Sequence, residues 1–158
     1  MDSTPLVSSI EAIACSRMAT IARDAMLVDV AKLLTQTHIA LVVVCNPDRT
    51  MAGVISKSDF VRQIGHCAGR ACQTAAVDVM TRQVTFCQAS DRLADVLLTM
   101  QTQGFVHVPV IDGDRKPVGV VNARDALRLL MMEGQYEESL LRNYVMGIGY
   151  QKSVRIFR

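Results

Sequence analysis

Two carboxylates, Asp59 and Asp125, stand 66 residues apart, each three positions after a polar helix-capping residue, Ser56 or Asn122. That spacing is a capping box: the cap's side-chain oxygen accepts the amide of the third residue, and the acid reaches back to the cap's own amide. Capping alone accounts for both acids without any ligand. A helix start also presents backbone N–H groups that no helical carbonyl satisfies, together with the positive end of a dipole, and so makes a ready anion site. Lys57 lies in one start and Arg124 in the other. A cation in the first turn opposes the helix dipole at a typical cost of ~0.3–1 kcal/mol, which a bound anion would remove. Ser56, Ser58 and Asn122 add hydrogen-bonding groups to the same two segments.

Other reactive residues form no recognisable constellation. His107 lies among apolar residues, where a lone histidine reads as a hydrogen-bonded interior residue, and His38 and His66 fall in loop-like positions. His66, Cys67 and Cys72 place three soft ligands in a connector, but the spacing fits no zinc pattern and a fourth ligand is missing, so no metal is expected. Cys15, Cys45, Cys67, Cys72 and Cys87 are an odd number without a CxxC pair, which suits reduced thiols filling a core in a reducing compartment. Gly147-Ile148-Gly149 lacks the third glycine of a dinucleotide fingerprint. Methionines such as Met26, Met80, Met100, Met131 and Met132 fall at helical spacings that suit core or dimer packing. With no Ser-His-Asp, Cys-His or paired-carboxylate arrangement, the chain is not expected to be an enzyme.

The elements that position Asp59 and Asp125 emerge from an internal repeat. Shifting the chain by 66 residues aligns Leu27, Asp29 and Val30 with Leu93, Asp95 and Val96, and Val42 and Val44 with Val108 and Val110. The same shift aligns Asp48-Arg49 with Asp114-Arg115, Gly53-Val54 with Gly119-Val120, Asp59 with Asp125, and Arg62 with Arg128. Leu27, Val30, Ala31 and Leu34 recur at amphipathic-helix spacing, as do Leu93, Val96, Leu97 and Met100, after the capping candidates Asp24 and Ser90. The β-branched runs 41–45 and 106–111 then lead through Asn46-Pro47-Asp48-Arg49 and Asp112-Gly113-Asp114-Arg115 into second, antiparallel strands. A helix follows each second strand, and a short extended piece, 18–22 or 84–87, precedes each first helix. Each copy therefore reads β-α-β-β-α. Residues 65–70 read as a loop-like connector, 75–80 as a helical lead-in to the second copy, 138–146 as a further helix and 150–157 as a strand.

Composition narrows the function classes. The 158-residue chain is 50% hydrophobic, 20% charged and 4% aromatic, with a net charge of +2. Interspersed charge without a basic stripe or stacking aromatics argues against nucleic-acid binding. The longest apolar run, residues 39–45, is far short of the ~18 residues that span a bilayer. The first residues lack the basic and apolar regions of a secretory signal, so a cytoplasmic location is expected.

The segments Gly53-Val54-Ile55-Ser56-Lys57-Ser58-Asp59 and Gly119-Val120-Val121-Asn122-Ala123-Arg124-Asp125 resemble the signature of CBS domains, the second departing from it at Asn122. Val79-Met80-Thr81 and the strand His107-Val108-Pro109-Val110-Ile111-Asp112 match the same family, although the first copy lacks the proline. The pair is similar to the tandem arrangement called a Bateman module. The resemblance implies an α+β fold of two β-α-β-β-α repeats, 5–66 and 67–132, packed about a pseudo-twofold axis, with 133–158 as a tail outside the repeat. It also implies a regulatory site for AMP or a related adenosyl ligand (ADP, ATP or S-adenosylmethionine) between the copies, a homodimer, and an effector on a separate chain. By resemblance, Asp59 and Asp125 accept ribose hydroxyls, and Ser56, Lys57, Ser58, Asn122 and Arg124 serve phosphate or ribose. Thr85, Val106 and His107 edge the adenine, and the second-copy site is expected to dominate. A ligand-free dimerisation scaffold is the alternative, marked by clefts filled with the protein's own side chains. A redox or metal sensor using Cys67 and Cys72 is a third class.

Overall fold

A computed structural model of the chain describes residues 4–66 and 73–134. A 3-10 turn (Val7–Ile10) leads into α1 (Glu11–Ser16), then β1 (Ala19–Ala22), α2 (Leu27–Leu34), β2 (Leu41–Cys45), β3 (Met51–Ser56) and α3 (Lys57–His66). The second half contains α4 (Ala76–Val79), α5 (Leu93–Gln103), β4 (His107–Ile111), β5 (Pro117–Asn122) and α6 (Ala123–Met132). In the first half β1 pairs parallel to β2, and β2 pairs antiparallel to β3; in the second, β4 pairs antiparallel to β5. Both hairpins turn through a residue in the left-handed region, Arg49 or Arg115, at matching positions of the repeat.

The cores are built crosswise. Val7 and Ile10, ahead of the first repeat's strands, are buried with Leu93, Leu97, Met100, Val121 and Leu130 of the second. Conversely Ala76 and Met80 are buried with Leu27, Val30, Val42 and Ile55 of the first. A third cluster joins the sheets: Leu41, Val43, Met51 and Val54 pack with Ile111 and Val120. Two glycines allow the exchange, since a Cβ on Gly53 would sit 2.6 Å from the Thr81 carbonyl oxygen and one on Gly119 would sit 3.0 Å from Ala14. Met80, which also meets Gly53, and Ala14 occupy equivalent repeat positions, as do the two glycines. Each half therefore lends its leading segment to the other, the reciprocity that a pseudo-twofold arrangement requires.

Three expectations are corrected. Asp24 and Ser90 do not cap the first helices, which start at Leu27 and Leu93 after Met26 and Arg92, with no side-chain cap. The exchanged segments supply the partners instead: Leu27 N–H donates to the Thr74 carbonyl and Leu93 N–H to the Pro5 carbonyl. The extended piece at 84–87 is reduced to a single parallel bridge, Cys87 to Val110, whereas β1 pairs along four residues. Proline explains the loss. Cys87 N–H donates to the Pro109 carbonyl, so the Pro109 nitrogen faces the same neighbour, but it carries no hydrogen to extend the ladder toward Thr85. Finally, Gly65 and His66 finish α3 rather than opening a loop, and the His66 ring bonds to the Arg62 carbonyl. The rest of the connector through residue 72, and the helix and strand expected within 138–157, lie outside the described residues.

Candidate functional site

Each β-hairpin ends by delivering a polar residue directly into a helix start, and there the two acids are buried, both 6% exposed. In the first repeat the capping box is complete. Ser56 Oγ accepts from Asp59 N–H at 3.1 Å, and Asp59 Oδ2 accepts from Ser56 N–H at 3.0 Å. Its other oxygen has Arg62 at 3.7 Å, a long contact to a side chain that is 62% exposed. Lys57 and Ser58 stand exposed on the same turn.

In the second repeat the box is split. Asn122 Oδ1 accepts from Arg124 N–H at 2.8 Å and from Asp125 N–H at 3.3 Å. Asp125 does not reach back. Both its oxygens take Arg17, Nε to Oδ2 at 2.9 Å and Nη2 to Oδ1 at 3.0 Å, in the fork geometry that makes such pairs strong. With its oxygen spent on two amides, Asn122 turns its NH2 to His107 Nε2 at 3.0 Å. His107 Nε2 therefore accepts, and the ring proton sits on Nδ1. Burial first, then the positive charge of Arg17, holds the His107 pKa down at about 4; Asp125 opposes this and Lys57 adds to it.

The structure thus brings together His107, Asn122, the Arg124 amide and Asp125, and separately Ser56 with Asp59. The Arg124 side chain is exposed. Val106 is half-buried, and its carbonyl accepts from Ala123 N–H at 2.9 Å. Thr85 bonds to Gln103 at 3.1 Å and lines a cavity of about 190 Å³ with Phe86, Asp91, Arg92, Asp95 and Thr99, which none of the other candidate residues lines. Sequence reasoning missed Arg17. It lies ahead of the window in which the repeats were aligned, and the position 66 residues on is Gln83, so a cation lost from the repeat was the available signal. Among the described residues, no group of three or more His, Cys, Asp or Glu side chains is placed to hold a metal ion.

Compared with known families, the chain matches the CBS domain twice, at residues 8–66 and 76–132. The chain belongs to the CBS domain family. It carries two CBS repeats in tandem, and the α+β architecture is that of a CBS pair. Among curated relatives it is 28% identical over 132 residues to the CBS domain-containing protein CBSX3, mitochondrial, of Arabidopsis thaliana, covering 80% of this chain and 63% of that one. Its fold is shared with the CBS domain pair of protein MJ0100, solved in complex with 5′-methylthioadenosine and S-adenosyl-L-methionine. That match has a TM-score of 0.69, 22% identity, and coverage of 82% of this chain and 98% of the other. The fold is also that of CBSX2 solved in complex with AMP, with a TM-score of 0.67, 19% identity, and coverage of 80% and 96%. No described helix is long and apolar enough to cross a membrane.

Proposed function

We propose that this CBS pair is a regulatory, non-catalytic module that takes an AMP-like adenine nucleotide between its repeats and signals occupancy to a separate effector protein. The carrying observation is a buried carboxylate at the same helix start in each repeat, Asp59 and Asp125, in a fold that MJ0100 and CBSX2 use with adenosyl ligands. In this reading the repeats 5–66 and 67–132 each contribute one acid to accept ribose hydroxyls. The amides and hydroxyls around Ser56 and Ser58, with Lys57 and Arg124, face phosphate. Val106, His107 and Thr85 border the adenine; Pro109 supports Thr85 here, because its missing N–H leaves the Thr85 carbonyl without that ladder bond. A ligand touching both repeats favours one relative arrangement, and the signal is bounded by its differential affinity for the two.

A homodimer through the helices is supported by Val61 and Ile64 of α3 and Met131 and Met132 of α6, all exposed. A cytoplasmic setting is supported by the free thiols among the described residues, since an oxidising compartment favours disulfides; of these only Cys87 fills the core as expected, Cys15 being exposed and Cys45 half-buried. The second reading is a ligand-free dimerisation scaffold, favoured by one observation: Arg17 occupies both oxygens of Asp125.

Thermal unfolding against AMP, ADP, ATP and S-adenosylmethionine separates the two. An adenosyl ligand at ~100 times its Kd adds ~2.7 kcal/mol, a rise of several degrees. A melting temperature unmoved by all four ligands supports the scaffold instead.

A further inference from the structure

We propose that Arg17 is a latch on the second repeat's ribose site, so that nucleotide fills the Asp59 site first and reaches Asp125 only by displacing the guanidinium. This rests on the nucleotide reading above, adds to it an order of filling and a residue that sets it, and reverses the dominance expected for the second-copy site, because Arg17 holds Asp125. A ribose diol is held best by both oxygens of one carboxylate, and at Asp125 Arg17 already engages both, at 2.9 and 3.0 Å, whereas at Asp59 the Ser56 amide engages only Oδ2. Two charge-assisted bonds in a fork are a strong competitor for a pair of neutral hydroxyls.

The two partners differ in their freedom to move. Asp125 has a side chain only 4% exposed and its amide bonded to Asn122, whereas the Arg17 side chain is 27% exposed at the end of α1. The guanidinium can therefore swing out while the carboxylate stays. The Asp59 site has no such latch: the Ser56 amide takes Oδ2 within the capping box, Arg62 stands 3.7 Å from Oδ1 with a side chain 62% exposed, and Gln83 occupies the position equivalent to Arg17. Backbone geometry widens the difference, since the chain remains helical through Arg17 after α1 but turns extended at Met80 after α4.

AMP titration by calorimetry, in the Asp59→Asn background that isolates the Asp125 site, tests the latch. Replacing Arg17 with Gln is expected to tighten AMP about tenfold, equivalent to ~1.4 kcal/mol. Arg17→Lys keeps the charge but loses the fork, and is expected to tighten it less. The lysine variant preserves charge compensation for buried Asp125 and so remains informative if the glutamine variant unfolds. Unchanged affinity overturns the latch, and weaker binding overturns it by making Arg17 a ligand-holding group. If neither the wild type nor any variant binds AMP, the nucleotide reading itself fails, a result distinct from binding that ignores Arg17.

Discussion

Asn122 joins cap and cluster, because one side chain serves two helix amides and orients the neutral ring of His107. Asn122→Ala should cost more than Ser56→Ala. Each loses a cap worth about 1 kcal/mol, but Asn122→Ala also strips His107 Nε2 of its partner; urea midpoints measure the difference. His107 gives the pH signature. Its folded pKa of about 4 lies below the ordinary 6.5, so in that window the unfolded chain binds more protons. The histidine's contribution is full above pH 6.5 and is lost as pH falls toward 4, at most about 3 kcal/mol. The stability gap between wild type and His107→Gln should therefore shrink between pH 7 and pH 4.5; a constant gap would contradict a neutral buried ring.

At the scale of elements, the exchanged segments rest on glycine contacts that lack space for a methyl group. Gly53→Ala should destabilise by about 1–3 kcal/mol and more than Gly119→Ala, because its Cβ would meet the Thr81 carbonyl oxygen at 2.6 Å against 3.0 Å to Ala14. Much of this architecture was legible in the sequence. Hydrophobic spacing located α2 and α5, the β-branched runs located β2 and β4, and the Ser56–Asp59 pair announced its capping box, because all are local patterns. Long-range partners were not legible. Asp24 and Ser90 looked like caps because their types suit the role, yet carbonyls from the exchanged segments fill it. The second copy's first strand looked as extended as its mate, but pairing depends on whether the neighbouring strand offers an N–H, and Pro109 does not. The partner of Arg17 was hidden likewise, since it lies 108 residues away, and only the cation's loss at Gln83 marked the position.

On the scale of the whole molecule, crosswise cores bind the repeats into one folding unit. Val7 and Ile10 belong to the second repeat's core and Ala76 and Met80 to the first's. Heating should therefore give one transition, with calorimetric and van't Hoff enthalpies equal; two resolved transitions would show repeats that fold independently. The exposed apolar residues of α3 and α6 set the expectation for assembly. Sedimentation should give a dimer mass for the wild type and a monomer mass for a Val61→Lys, Met131→Lys variant that melts near the wild-type temperature. The measurement that reaches the central claim most directly is an AMP titration of the wild type beside an Asp59→Asn, Asp125→Asn double variant. The account predicts saturable binding by the wild type and none by a folded double variant. Absence of binding to the wild type, or binding that survives both substitutions, would contradict it.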